Sequence, residues 1–224
     1  MQRSWRLDAD KLTFIICLPI SSHIIAPLPN GKDDTTHQYI TIKPSTYDNH
    51  DTMLGDINLF LTPLEQDMEA ADINSFAFAL PSNQIPLVGE IELMIALSKN
   101  QSRGFGHTSL LTFLLYIGTH ESEIVESYLK DNSSDFGQLK GPSLSSPSSS
   151  DLQLSYLRAR ISATNVRSIA LFKKVGFELV SEEPNYFGEL EMRLQREGWG
   201  SKNIKSLFKE TGIEETEWTE IRYE

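Results

Sequence analysis

The sequence predicts an α/β protein, a mixed β-sheet flanked by helices, and three observations predict it. Short runs of β-branched and large apolar residues, bounded by proline and glycine, recur along the chain as buried strands do. One of them, residues 89–97 (GEIELMIAL), alternates: Ile91, Leu93, Ile95 and Leu97 share one face, and Glu90, Glu92, Met94 and Ala96 the other. Directly after it, residues 98–109 (SKNQSRGFGHTS) carry a two-glycine turn into a long apolar run of helical character.

The elements follow in order. Residues 11–18 (KLTFIICL) read as a buried strand that Pro19 ends. A polar stretch runs to about residue 52, broken by one short alternating piece, 38–42 (QYITI). Residues 54–61 (LGDINLFL) form the next strand, stopped by Pro63. Pro63, Pro81 and Pro86 punctuate residues 63–87 around a strand-like SFAFAL, and most of this reads as a surface insertion. In 106–119, Leu110, Leu111, Phe113, Leu114, Leu115 and Ile117 surround the helix axis, so this helix packs deeply against a sheet.

From 132 to 150 the composition collapses to Ser, Pro and Gly, which bury too little apolar surface to order themselves; disorder is expected there. Residues 154–162 (LSYLRARIS) return to strand. A helix over 165–175 has Asn165 as N-cap, Lys173 and Lys174 at its negative end and Gly176 as its stop. Residues 177–181 and 189–195 (ELEMRLQ) form a closing antiparallel pair. A short amphipathic helix over 201–210 gathers Ile204, Leu207 and Phe208 on one side, and the acidic end beyond it is expected to fray. The organisation is one domain over 1–196, with insertions at about 19–52, 62–88 and 130–152, then a C-terminal helix and acidic tail over 197–224.

Composition narrows the partners. A net charge of −11 argues against nucleic acid, whose binding needs a basic face. Cys17 is the single cysteine, so there is neither a disulfide framework nor a Cys-based zinc cluster, and the five histidines show no metal-ligand spacing. No metal is expected. The apolar run 12–20 is too short to span a bilayer and follows Asp8 and Asp10 rather than a basic flank. No membrane partner is expected, and the cytoplasm (or the nucleus) is the expected compartment.

The glycine turn is the feature that carries chemistry. A lysine-bearing phosphate loop is excluded because His107, not lysine, follows Gly106. A dinucleotide fingerprint fails because Ser109 stands at its third glycine and no acidic residue ends a second strand at the required distance. What remains is Q-x-x-G-x-G, Gln101 to Gly106. Some sixty residues on, a second segment reads NVRSIALFKKVGF, Asn165 to Phe177.

In these two segments, in this order, the chain resembles the GCN5-related N-acetyltransferase (GNAT) superfamily. Residues 1–18, 53–61, 89–128 and 154–195 resemble its N-acetyltransferase 9-like branch. The resemblance implies a GNAT acyl-CoA acyltransferase fold, with central strands splayed to admit the pantetheine arm, and acetyl-CoA as co-substrate. It implies a pyrophosphate seat at Gln101, Ser102, Arg103, Gly104, Phe105, Gly106 and His107. The thioester would lie beside Met94, Ile95 and Ala96, and the pantetheine beside Asn165, Ser168 and Phe172. It also implies a strand and two helices ahead of the segment that begins at Met1, so the domain is expected to be N-terminally incomplete.

The implied reaction is direct attack of an amine of a protein or peptide on the thioester. Glu90 and Glu92 are the candidate catalytic bases; alternating glutamates on a strand also read as its solvent face. Phe172 stands where many family members carry a tyrosine, and phenyl donates no proton. Tyr116, Tyr156, Tyr186 or solvent remain as sources of the acid. Two other readings stay open: a catalytically silent relative that binds acetyl-CoA or a partner protein, and an acetyltransferase of small-molecule amines.

Overall fold

A computed structural model describes residues 10–18, 40–42, 50–64, 85–132, 152–212 and 221–223. In chain order the elements are β1 (Lys11–Cys17), β2 (Ile40–Ile42), β3 (Met53–Pro63), β4 (Ile85–Ile95), α1 (Phe105–Asp131), β5 (Leu152–Ser162), α2 (Val166–Lys174), β6 (Glu178–Leu179), β7 (Glu189–Gln195), α3 (Ser201–Thr211) and β8 (Ile221–Tyr223). Six strands form one sheet in the order β1-β3-β4-β5-β7-β6. Every neighbouring pair is antiparallel except β4 and β5, which run parallel. A parallel pair needs a long crossover, and α1 lies on it.

The core lies between the sheet and α1. Ile57, Leu59 and Leu61 of β3, Leu87 and Ile91 of β4, and Leu157, Ala159 and Ile161 of β5 are all buried in it. Leu110, Leu111, Leu114 and Ile117 of α1 are 0 % exposed. This helix is apolar nearly all round because it is covered twice, by the sheet and by Trp199, Ile204 and Phe208 of the following turn and α3. The second face of the sheet is polar by strand alternation, and it carries Asp56, Asn58, Glu90, Glu92, Arg158 and Arg160.

Several boundaries differ from the sequence expectation. β3 runs through Pro63 and β4 begins at Ile85, so the ends of the 62–88 stretch belong to the sheet rather than to an insertion. Pro86 does not stop the strand because the β3 ladder ends at the Pro63–Leu87 pair, beyond which its missing N–H removes no rung to β3. α1 continues past 119 to Asp131 through a non-helical His120 (φ −112°, ψ 19°), and β5 starts at Leu152, so the expected 130–152 insertion is shorter at both ends. The tail does not simply fray, since Ile221–Tyr223 pairs in parallel with Ile40–Ile42. The expected disorder over 132–150 falls, apart from Asn132, outside the described residues, as do SFAFAL and most of 19–52.

β1 is the edge of the sheet, and Gly55 of β3 explains how tightly its neighbours sit. A Cβ built on Gly55 would land inside the carbonyl of Met94 on β4. Backbone cannot swing aside as a side chain can, so β3 and β4 must part to admit even a methyl group. Gly55→Ala is therefore expected to destabilise the domain by about 1–3 kcal/mol, the range for overpacking, as read from urea unfolding.

Candidate active site

The site is built where β4 and β5 part. Their parallel ladder runs from the Ile85–Leu152 pair to Glu90–Arg158 and stops there. Beyond it β4 is held only by β3, to Ile95, and β5 only by β7, to Ser162. A wedge opens between them. The Ala96 N–H donates to the Leu54 carbonyl at 2.8 Å, toward β3. Alternation along the strand then turns the Ile95 backbone the other way, into the wedge. Gln101 Nε2 donates to the Ile95 carbonyl at 2.9 Å and so replaces a partner that β5 no longer offers. Of the expected donors in 94–96, Ala96 is thus committed to the sheet, and the Ile95 N–H faces the wedge.

On the helix side the wedge opens into a cavity of about 450 Å³. Met94, Ile95, Gln101, Ser102, Gly104, Gly106, His107, Asn165, Ser168 and Phe172 all line it, so the two sequence motifs meet at one place. Ser102 (φ 58°) and Gly104 (φ 92°) are both left-handed, and Gly104 is the N-cap of α1. Left-handed residues in so short a turn favour a nest of outward N–H groups, and the first-turn amides of α1 have no acceptor within the helix. A Cβ on Gly104 would meet nothing within 4 Å, so the space in front of the turn is open. Free first-turn amides beside open space are the donor set and sign of charge that a phosphate group needs.

Three expected residues do not line the cavity. Ala96 is tied into β3, and the other two, Arg103 and Phe105, stack on each other, guanidinium over ring at 5.5 Å. Leu93, Asn100, Arg167 and Leu171 join the lining although the sequence did not single them out. Arg167 had a signal: a cation in the first turn of a helix opposes the dipole, which hints at a negative charge nearby. Asn165 Oδ1 accepts the Ser168 N–H at 3.2 Å, so the residue both caps α2 and lines the cavity. Burial, with Lys174 adding, holds the His107 imidazole below its ordinary range.

On the other face of the sheet lies a second cavity, of about 610 Å³. Glu90, Glu92, Glu183, Glu189 and Glu191 line it against Arg160 and Arg193, leaving it acidic. Glu90, at the apex of the wedge, accepts from Arg158 Nε at 2.8 Å, and Arg160 stands 3.5 Å away. Arg160 also reaches Glu191 at 3.6 Å, and Arg193 pairs with the same carboxylate at 2.6 Å. Burial pushes the Glu90 carboxyl above its ordinary range; Arg160 opposes this, while Glu92, Glu191 and Glu189 add to it. Burial likewise lowers the Arg158 guanidinium to about 10, still cationic at pH 7. Glu92, two residues further into the wedge, is exposed and makes no ion pair among the described residues.

The tyrosines stand apart from both cavities. Tyr116 packs between the rings of Phe14, at 4.9 Å, and His120, at 4.5 Å. Tyr156 is buried beneath Arg193, and Tyr186 is 97 % exposed on the hairpin between β6 and β7. Phe172 is buried edge-on against Phe177 at 4.9 Å. No phenol among the described residues lines the wedge cavities.

No family model matches the chain. An N-acetyltransferase 9-like protein of Schizosaccharomyces pombe is 31 % identical over 207 residues, 88 % of this chain and 75 % of that protein. The human alpha/beta-tubulin-N-acetyltransferase 9 is 27 % identical over 194 residues, 87 % of this chain and 60 % of that protein. Among solved structures, Arabidopsis thaliana NAA60 in complex with acetyl-CoA overlaps 68 % of this chain and 72 % of that one, at 12 % identity and a TM-score of 0.41.

Proposed function

This chain belongs to the N-acetyltransferase 9-like family, and we propose that it transfers the acetyl group of acetyl-CoA to an amine of a protein or peptide. The observation that carries the reading is the wedge, which joins a phosphate-sized cradle on one face to an acidic cavity on the other. An anionic co-substrate and a cationic acceptor would thus approach the Ile95 N–H from opposite sides. Acetyl-CoA would place its pyrophosphate against the turn 102–106 and its pantetheine between Ile95 and Asn165. When bound, it supplies an activated acyl group with a thiolate leaving group.

The chain's own groups divide the remaining work. The Ile95 N–H polarises the thioester carbonyl and holds the oxyanion of the tetrahedral intermediate. Glu92 takes one proton from the acceptor ammonium, which frees the nitrogen lone pair to attack the carbonyl carbon. The C–S bond then breaks, and the second proton of the attacking nitrogen leaves with the sulfur, directly or through solvent, giving amide and thiol. Glu90 is held by Arg158 and Arg160 and keeps negative charge beside Glu92 rather than moving protons itself. The fit of the human relative's name to a protein acceptor supports a protein or peptide amine.

Thermal shift with acetyl-CoA, followed by thiol release on a library of peptides with free amines, tests this. A shift together with peptide-dependent thiol release is expected. A shift with no thiol release on any peptide or small amine would leave a silent acetyl-CoA-binding relative. Release on small amines alone would overturn the protein acceptor. Glu92→Gln is expected to lower kcat by about 10²–10⁴, the usual weight of a general base, with acetyl-CoA affinity unchanged.

A further inference from the structure

Coenzyme A carries three phosphates, two in its pyrophosphate and one on the 3′ carbon of its ribose. As proposed, the turn 102–106 takes the pyrophosphate. The third phosphate lies one ribose away and needs a partner of its own.

Arg167 lines the co-substrate cavity from α2. Among the described residues no carboxylate lines that cavity, in a chain of net charge −11. Of the other basic groups near the turn, Arg103 is stacked over Phe105 away from the cavity wall. Lys174 acts on His107 without lining the cavity, and burial favours the neutral form of His107. The lasting positive charge on this wall is therefore that of Arg167. The residue is exposed, and its guanidinium makes no hydrogen bond or ion pair among the described residues.

Its place on α2 sets it outward from the turn. The helix passes close to the start of α1, where a Cβ on Gly106 would meet Leu171 Cδ2 at 3.5 Å. Arg167 lies one helical turn before Leu171 on the same side of α2, about 6 Å nearer the helix start. From Leu171 to Arg167 the helix passes from half-buried to exposed, so the guanidinium stands at the rim of the cavity. A cation in the first turn also opposes the helix dipole, and no acidic residue in that turn offsets it. An incoming phosphate supplies the missing negative charge, and a guanidinium fork matches two of its oxygens.

Resting on the acetyltransfer reading, we propose that Arg167 holds the 3′-phosphate of the co-substrate. It thereby selects coenzyme A over carriers that share its pantetheine and pyrophosphate but lack that phosphate. No bond is made or broken at Arg167; it sets which carrier is bound.

Isothermal titration of coenzyme A and of 3′-dephospho-coenzyme A decides the matter without turnover. Wild type should bind coenzyme A about tenfold more tightly, or better, the weight of one hydrogen bond between charged groups. Arg167→Met should weaken coenzyme A by that factor and spare the dephospho form, bringing the two within about twofold. Arg167→Lys should keep part of the preference, since the charge survives and the fork does not. Lys130→Met, at the far end of α1, removes one positive charge beyond screening range and should keep the wild-type preference. Thermal melts separate binding from a structural role. Without ligand, Arg167→Met should melt no lower than wild type, because a cation has left the first turn, while its stabilisation by coenzyme A shrinks. A wild type that binds both forms within about twofold, or an Arg167→Met variant that keeps the preference, would overturn the role of Arg167 alone. A wild type that binds neither form refutes the co-substrate reading and this role with it.

Discussion

Gly104→Val is expected to abolish measurable acetyl-CoA binding while the domain stays folded. Gly104 holds φ 92° at the entrance to α1, a region where a β-branched residue is strained. The strain is conformational rather than steric, because the position where a Cβ would stand is empty. The chain would relieve it by turning the 102–106 backbone, and the N–H groups would cease to converge. Losing two or three charge-assisted bonds to a pyrophosphate corresponds to a rise in Kd of about 10²-fold or more. Isothermal titration measures it, and a melting temperature within a few degrees of wild type shows that the core under α1 is intact. A variant that bound acetyl-CoA normally would mean that the phosphates sit elsewhere.

The second large effect concerns the apex of the wedge. Arg158→Leu is expected to cost about 3–5 kcal/mol, because it leaves the half-buried Glu90 carboxylate without its 2.8 Å partner. Urea unfolding at pH 7 measures the loss. The pH dependence gives a second check. Glu90 already has its carboxyl raised by burial, and losing the guanidinium that donates to it at 2.8 Å favours its neutral form further. A group raised in the folded state contributes its stability below the unfolded value and loses it as pH rises through the folded one. The deficit of the variant should therefore shrink toward pH 4 and grow toward pH 7. Glu90→Gln combined with Arg158→Met should restore much of the stability, since both charges go together.

Much of this arrangement was written locally in the sequence. The alternation of 89–97 announced which side of β4 would meet the core, and the cap, basic end and glycine stop of α2 were all in place. The turn was legible because Gly104 takes a positive φ directly before a helix, while the left-handed Ser102 beside it left no sign in the sequence. What escaped was whatever depends on partners distant in sequence. Leu93 and Leu171 look like ordinary core residues until the wedge exposes them, and Arg167 like an ordinary surface cation. Pro86 reads as a strand stop because only the tertiary ladder shows that no rung to β3 is lost there. The wedge itself rests on where the ladder between β4 and β5 stops, and register is set by packing that no local pattern encodes.

The parting of β4 and β5 also divides the molecule. β1, β3, β4 and the start of α1 make one leaf, and β5, α2, β7 and β6 the other, with the short parallel seam as their common spine. The glycine turn belongs to the first leaf and Asn165 to the second. A co-substrate seated as proposed would lie across both and act as a clasp on a book whose pages the backbone itself leaves ajar.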